Sequence, residues 1–333
     1  MTVTTPITPQ RIMETTFGFV GSRALSTAVE LELFTHVHQG GTTVPELARW
    51  CQASERGTQM LVEALAALGF LTYDKGQIGL APDSELFLVK TAPGYMGTMT
   101  LHLDKVANSW NQLTEIVKTG VLPRFAIESD HDDGKFFAGF VDAGFAMSWP
   151  AAQLVAKTLG EANDVLDIGA GSGVWGLGFA TAYPQCKLVE VDRQAVVDKV
   201  SRPFAQRMGV ADRVSFKTGN FREVDLGQEC FDVALLGHIL HSEGMVRSKA
   251  LLRRIFQALR PGGTLMVAEM ITDDNRNQDA FALRFGLNML VLTEEGCVFT
   301  RSELAAMAHE AGFSQVDWLE APAPYPLALF RKA

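Results

Sequence analysis

The sequence predicts an α/β protein with a Rossmann-like, doubly wound domain that is preceded by a mostly α-helical winged-helix domain. Five short apolar strands alternate with helices from Asn163 onward, and a glycine-rich turn follows the first strand. Upstream, residues 11–80 show the order helix, short helix, helix and hairpin, which is typical of a winged helix. We place the first domain at residues 1–100 and the second at 101–333, with a helical linker over 101–160.

Composition narrows the class of protein. The chain has 333 residues, 47% of them hydrophobic, and 29 basic against 38 acidic side chains give a net charge of −9. That apolar fraction supports a folded core, and no run reaches the ~20 apolar residues of a membrane helix. The Thr/Pro-rich start lacks the features of a signal peptide. Four widely spaced cysteines without zinc-site spacing favour a reducing cytoplasm. They are Cys51, Cys186, Cys230 and Cys297.

The N-terminal elements follow from apolar spacing and capping residues. A 3.6-residue apolar period predicts one long helix over residues 11–38, ended by a Gly-Gly pair. Thr43 and Glu46 form a predicted capping box for a short helix. Ser54 caps the next helix, which ends at Gly69. A two-strand hairpin then turns at residues 74–76.

A winged helix raises the question of DNA binding. Residues 42–95 carry four basic and six acidic side chains, and the helix after Ser54 has one Arg and two Glu. DNA affinity needs several phosphates neutralised by Lys or Arg, so nucleic acid is not an expected partner. We expect a homodimer instead, because the helix over 11–38 has more apolar residues than a small domain covers. The alternative is a winged-helix regulator that senses a small ligand. A gel shift with genomic DNA fragments would distinguish such a regulator from a protein that does not bind DNA.

The linker is rich in aromatic and methionine side chains. Most are expected to pack between the domains, whereas Trp110 and Met147 are candidates for lining a flat, apolar substrate pocket. The whole set comprises Trp110, Phe136, Phe137, Phe140, Phe145, Met147 and Trp149.

The glycine turn selects among cofactors. The run after the first strand is G-A-G-S-G, with Gly169, Gly171 and Gly173, and Val174 occupies the position of the third dinucleotide glycine. No Walker lysine follows. The pattern therefore disfavours a dinucleotide oxidoreductase and favours a ligand without phosphates that passes close to the backbone. Asp192 ends the second strand, where a carboxylate can accept both ribose hydroxyls.

These residues, with the P-G-G turn before the fifth strand, resemble the class I domain that binds S-adenosylmethionine. Together with the acidic winged helix, they resemble the small-molecule O-methyltransferase family of plant caffeate enzymes and bacterial pigment and antibiotic tailoring enzymes. The resemblance runs from about Phe17 to Phe313. It implies that Asp167 to Gly173 hold the methionine part, Asp192 the ribose, and Asn220 with Phe221 the adenine. The family usually has Asp where this chain has Asn220.

Two histidines follow the fourth strand in G-H-I-L-H-S-E. His238 and His241 have the spacing of a metal pair, but the sequence identifies no third ligand. The resemblance places a general base at His241 and an acid that orients it at Glu269. The chemistry suits an imidazole, since a phenol of pKa ~10 must lose its proton to a group of pKa ~6.5. The predicted substrate contacts are Trp110, Met147, His238, Asn288 and Met289.

The chain departs from the family at two positions. Ser242 replaces the Asp that often follows the base, and Val298 stands where plant members carry a second acid. The expected function is S-adenosylmethionine-dependent O-methylation of a small aromatic or polycyclic hydroxyl, as in secondary metabolism. Methylation of carbon or nitrogen, or cofactor binding without methyl transfer, remains the alternative.

Overall fold

The computed structural model describes residues 7–122, 141 and 144–333. The chain forms two compact units, Met1–Lys105 and Val106–Ala333. Phe136, Phe137 and Phe140 of the predicted aromatic set lie outside the described residues. In the described part, no helix is long and apolar enough to cross a membrane.

The first unit is helical apart from one hairpin. The predicted capping interactions are confirmed: Thr43 and Glu46 form a capping box, and the Ser54 hydroxyl accepts the N–H of Gly57 at 3.1 Å. The hairpin is also confirmed, with Lys75 and Gly76 at its turn. Its elements are α1 (Gln10–Glu30), α2 (Leu33–His38), α3 (Val44–Trp50), α4 (Glu55–Ala67), β1 (Leu71–Asp74), β2 (Gln77–Leu80) and α5 (Pro82–Phe87), followed by α6 (Gly97–Trp110).

The single helix predicted over residues 11–38 is wrong. The chain breaks between α1 and α2, where Glu32 adopts a left-handed conformation with φ +52°. A left-handed residue cannot continue a right-handed helix. The break directs α2 into the core, where Leu33 and Phe34 are fully buried. Apolar periodicity runs through both segments, so it does not reveal the break.

Most of α1 is exposed within this unit. Only its last part is buried, at Ser26, Ala28 and Val29. The exposed large apolar side chains of α1 are Ile12, Met13, Phe17, Phe19 and Val20. Such a concentration of apolar surface is characteristic of an interaction face.

The second unit is built on a seven-stranded sheet in the order β10-β11-β7-β6-β3-β4-β5. The five predicted strands are the parallel part, and β11 and β10 extend it with antiparallel pairing. The sequence analysis missed those last two strands. The sheet strands are β3 (Asp164–Ile168), β4 (Lys187–Asp192), β5 (Val214–Thr218), β6 (Phe231–Gly237), β7 (Leu259–Ala268), β10 (Gln315–Leu319) and β11 (Leu327–Arg331), and β8 (Ile271–Thr272) pairs with β9 (Phe299–Thr300) outside the sheet.

Helices cover the sheet and connect its strands. The interiors of β3, β6 and β7 are buried along nearly their whole length, as expected for strands covered on both faces. The helices are α7 (Leu113–Thr119), α8 (Gly144–Leu159), α9 (Val174–Ala182), α10 (Gln194–Val196, a π-helical turn Val197–Ser201, and Arg202–Arg207), α11 (Leu240–Ala258), α12 (Ala280–Leu292) and α13 (Arg301–Ala311). Helix α7 packs against α12, which carries two predicted substrate contacts.

Candidate active site

The candidate cofactor-binding and catalytic residues meet at the carboxyl edge of the parallel strands. The candidate cofactor residues follow β3, β4 and β5, which are neighbours in the sheet. The two histidines follow β6, and Glu269 follows β7, on the other side of β3. The order of strands reverses between β3 and β6, and open α/β sheets bind their ligands at such a switch point.

The glycine turn is tied tightly to the end of β4. The N–H of Gly169 donates to the carbonyl of Val191 at 2.8 Å, and the N–H of Gly171 donates to Oδ2 of Asp192 at 2.7 Å. The glycines of the turn have positive φ, including +71° at Gly173. A Cβ on Gly169 would come within 2.3 Å of Ile239. The turn therefore requires glycine for both its conformation and its close packing.

Acidic side chains surround this turn. Asp167 is buried and accepts the N–H of Gly176 at 2.9 Å. Burial raises the pKa of Asp167 to about 7. The hydrogen bond from Gly176 acts to lower this pKa, and the nearby Asp192 acts to raise it. Burial also raises the pKa of Asp192, against the hydrogen bonds from the N–H groups of Gly171 and Arg193. A cation bound beside these carboxyls would favour their charged forms.

A third acid, Glu190, was not singled out in the sequence. It is fully buried on β4, and a Cβ on Gly173 would lie 2.3 Å from its Oε1. Among the described residues, neither carboxyl oxygen of Glu190 has a hydrogen-bond partner. Burial, with Asp167 and Asp192 nearby, raises its pKa well above the usual range. The glycine turn thus lies directly on a buried carboxyl group.

The loop after β5 places Asn220 and Phe221 near the turn. The Asn220 side-chain oxygen accepts the N–H of Arg222 at 3.1 Å, and Arg254 donates to the Phe221 carbonyl at 2.6 Å. The Phe221 ring lies 3.9 Å from the position that a Cβ on Gly169 would occupy. The structure therefore brings an aromatic ring close to the glycine turn.

His241 and Glu269 form a direct pair. Nδ1 of His241 lies 2.8 Å from Oε2 of Glu269, and the N–H of His241 donates to Oε1 at 3.2 Å. Glu269 is 1% exposed. Burial tends to raise its pKa, but the charge and hydrogen bonds of His241 outweigh that effect and hold the pKa below its usual value. A buried carboxylate in this position holds the imidazole in one orientation and stabilises its cation.

His238 lies beside this pair in an unusual environment. It has φ +61°, and its ring meets that of Tyr325 edge-on at 4.2 Å. Burial lowers the pKa of His238 to about 4. The nearby Glu269 carboxylate acts to raise this pKa, and His241 acts to lower it further. Both ring nitrogens are buried, and neither has a hydrogen-bond partner among the described residues.

The expectation that no third ligand accompanies the His-x-x-His pair is wrong. The structure brings together three potential metal ligands, from His238, His241 and Glu269. Their ligand atoms lie within 4.8 Å of one another. However, Glu269 already accepts a hydrogen bond from Nδ1 of His241. This bond is the arrangement that a histidine base and its orienting acid require, and it leaves Nε2 for the reacting group.

The other predicted substrate contacts occupy different settings. Asn288 on α12 is half-buried, whereas Met289 is 5% exposed. Trp110 ends α6, and Met147 on α8 packs against the core of the second unit. Val298 is buried, so the position of the second acid is apolar. A role in substrate binding stays a prediction for Trp110, Met147, Asn288 and Met289.

The sequence analysis did not single out Phe285 and Tyr325. The Phe285 ring packs perpendicular to that of His241, with centroids 4.9 Å apart. It lies one helical turn before Asn288, so the spacing along α12 could have identified it. Tyr325 comes from the segment before β11 and had no such signal. A cavity of about 310 Å³ is lined by Gly286, Leu287, Cys297 and Val298 among others, but not by the base or the glycine turn.

Comparison with known proteins identifies the family of the chain. Residues 123–314 match the O-methyltransferase domain family, and residues 13–90 match the O-methyltransferase dimerisation domain family. The tetracenomycin polyketide synthesis 8-O-methyl transferase TcmO of Streptomyces glaucescens is 31% identical over 97% of each chain. The crystal structure of a putative O-methyltransferase from Nostoc punctiforme is 32% identical with a TM-score of 0.90, covering 99% of this chain and all of that one.

Human N-acetylserotonin methyltransferase, solved in complex with SAM, shares the fold at 24% identity and a TM-score of 0.87 over the whole of both chains. The chain belongs to the O-methyltransferase family with an N-terminal dimerisation domain. Membership confirms the predicted fold class, the predicted enzyme class and S-adenosylmethionine as the cofactor.

Proposed function

We propose that this enzyme transfers the methyl group of S-adenosylmethionine to a hydroxyl of a small aromatic or polycyclic acceptor, with His241 as the general base. The observation that carries the proposal is the 2.8 Å contact between Nδ1 of His241 and the buried carboxylate of Glu269. It lies at the same sheet edge as a glycine turn that suits a ligand without phosphates. Buried Val298 occupies the position where plant members carry a second acid. The proposed scheme therefore uses Glu269 alone.

Different residues would hold the different parts of the cofactor. The turn from Asp167 to Gly173 would receive the methionine part, and Asp192 the ribose. Asn220 and Phe221 would flank the adenine. The cofactor supplies an electrophilic methyl group on a positively charged sulfur, and buried acids near the turn favour a cationic ligand.

His241 would take the hydroxyl proton at Nε2 as the oxygen attacks the methyl carbon. S-adenosylmethionine would supply the methyl carbon with its sulfur as the leaving group, so the positive charge would pass to the imidazole of His241. Glu269 stabilises the resulting imidazolium through Nδ1. General-base assistance contributes about 10²–10⁴-fold, and much of the remaining acceleration comes from holding oxygen, carbon and sulfur in line.

The acceptor class rests on the apolar surroundings of the base and on the relatives. Phe285 packs against the ring of His241. Val298, just before β9, is buried. TcmO is named for the 8-O-methylation step of tetracenomycin polyketide synthesis, and another relative for 3-O-methylation of a hydroxynaphthoate. An aromatic hydroxyl is thus the acceptor that we expect here.

We also infer that the enzyme is a homodimer through its first unit. The matched dimerisation domain supports this, as does the exposed apolar part of α1. A cytoplasmic location stays a prediction from the cysteines, all four of which are free thiols.

Methyl transfer from isotopically labelled S-adenosylmethionine to 1-naphthol and 2-naphthol tests the proposal. We expect labelled methyl ethers, and we expect activity to survive a chelator because the base needs no metal. Calorimetry should show binding of S-adenosylhomocysteine and none of NAD. Absence of any O-methyl product, or loss of activity with the chelator that added metal restores, would contradict the proposal.

A further inference from the structure

His238 has an unused hydrogen-bonding capacity beside the base. Buried polar atoms are nearly always satisfied, so an orphaned pair of ring nitrogens calls for a partner. Within the described residues neither nitrogen has one. We infer that His238 binds a second oxygen of the acceptor, and that the acceptor therefore carries two oxygens on adjacent or peri carbons. This inference rests on the proposed function and names the substrate class more closely.

Distances support a partner between the two histidines. One nitrogen of each histidine and one oxygen of Glu269 lie within 4.8 Å of one another. No direct hydrogen bond joins His238 to either group. An intervening polar atom could hydrogen-bond to both sides at ordinary distances. An acceptor with two neighbouring oxygens can give one to His241 and the other to His238.

Glu269 is not the missing partner in this structure, since neither ring nitrogen of His238 is hydrogen-bonded to it. Its Oε2 accepts from Nδ1 of His241 and from the N–H of Met270, and its Oε1 accepts from the N–H of His241. The carboxylate is thus committed to orienting the base. Both ring nitrogens are closed to solvent, so the partner that we infer would reach them as the substrate enters the site.

The ring of His238 is held in place by its neighbours. The Tyr325 ring packs edge-on against it, and the Tyr325 hydroxyl is 2.7 Å from the buried hydroxyl of Ser148. The left-handed backbone at His238 is rare for a residue other than glycine, and strain of this kind concentrates at functional sites. A fixed, buried ring is suited to recognising one position on a rigid acceptor.

The protonation state fits either kind of second oxygen. Burial keeps the pKa of His238 at about 4, so the ring is neutral at pH 7. A neutral imidazole has one donor and one acceptor nitrogen. It can therefore donate to a carbonyl or exchange hydrogen bonds with a second hydroxyl.

Paired acceptors test this inference. We would compare kcat/KM for 2-naphthol with 2,3-dihydroxynaphthalene, and for 1-naphthol with 1,8-dihydroxynaphthalene. The variants are His238→Asn, which tolerates a left-handed backbone, and His238→Phe, which keeps a ring without nitrogens. His309→Asn, at an exposed position on α13, is the matched control.

The wild-type enzyme and the control should prefer the two-oxygen acceptor in at least one pair. Both His238 variants should lower that preference by about tenfold, the size of one lost hydrogen bond. An equal fall for both members of each pair, or no wild-type preference, would overturn the inference without contradicting the proposed methylation of an aromatic hydroxyl. If the wild-type enzyme methylates none of the four compounds, both this inference and the proposed acceptor class are wrong.

Discussion

Nδ1 of His241, just after β6, lies 2.8 Å from Oε2 of Glu269, just after β7. The carboxylate is buried and receives two further backbone hydrogen bonds, from His241 and Met270. Its position is therefore fixed by two adjacent strands of the sheet. In the proposed reaction, this contact prepares His241 to remove a proton from the acceptor.

Glu269→Gln should lower kcat strongly while leaving the fold in place. Glutamine has nearly the same shape, but it removes the negative charge that stabilises the imidazolium and fixes its tautomer. We expect a loss of at least about 10²-fold, by analogy with amide substitution of the acid in a catalytic triad. Steady-state methyl transfer to 2-naphthol measures it. Glu294→Gln, at a side chain that is 72% exposed, is the control. Equal kcat for the two variants would show that the buried carboxylate has no part in the reaction.

Gly173→Ala should weaken cofactor binding more than its conformation alone explains. Gly173 and Gly160 both have positive φ, but a Cβ at Gly160 meets open space, whereas one at Gly173 meets the buried carboxyl of Glu190. Each substitution costs about 1–2 kcal/mol for the left-handed backbone. Only Gly173→Ala should also displace the turn, and titration with S-adenosylhomocysteine would measure this. Equal affinity in Gly173→Ala and Gly160→Ala would contradict the placement of the cofactor at this turn.

Asp167→Asn should change how stability depends on pH. In the folded enzyme the pKa of Asp167 is about 7, whereas in the unfolded chain it is about 3.9. Between these values the unfolded state has lost the proton and the folded state retains it, so this group's contribution to stability falls as pH rises. Asparagine does not titrate, so the variant does not lose stability in this way as pH rises. The melting temperature of the variant minus that of the wild type should therefore be larger at pH 8 than at pH 4.

Melting of the ligand-free enzyme at both pH values measures this effect. Asp212→Asn, at an exposed position, should melt like the wild type at each pH. A melting-temperature difference for Asp167→Asn that stays constant from pH 4 to pH 8 would be inconsistent with a protonated, buried Asp167.

Phe17→Glu should weaken the proposed dimer. Phe17 is 58% exposed on the apolar part of α1, and a charge there would be buried without a partner in an interface. Light scattering after size-exclusion chromatography should show a shift toward the monomer. Val246→Glu, at a side chain that is 74% exposed in the second unit, should keep the wild-type mass. If both variants have the same mass as the wild type, α1 is not the dimer surface.

The sequence predicted the parallel sheet because five short, mostly apolar segments alternate with helices, and a glycine-rich turn follows the first of them. It predicted the paired histidine and glutamate only through a resemblance, since Glu269 is 28 positions from His241 and only the pairing of β6 with β7 brings them together. The break at Glu32 was not predicted, because one left-handed residue leaves the apolar spacing almost unchanged.

Other parts of the site depend on tertiary packing. The contact between His238 and Tyr325 joins the end of β6 to the segment before β11, and no local pattern shows it. Glu190 offered a weak signal, as a charged residue inside an apolar strand. Its significance appears only when the glycine turn packs against its carboxyl group.

The most direct test of the central claim is the turnover of His241→Ala with 2-naphthol, measured together with its affinity for S-adenosylhomocysteine. His309→Ala, at an exposed position on α13, is the control. We predict that His241→Ala lowers kcat by about 10²–10⁴-fold and retains the wild-type affinity for the cofactor product. Turnover equal to that of the control would contradict the assignment of His241 as the base.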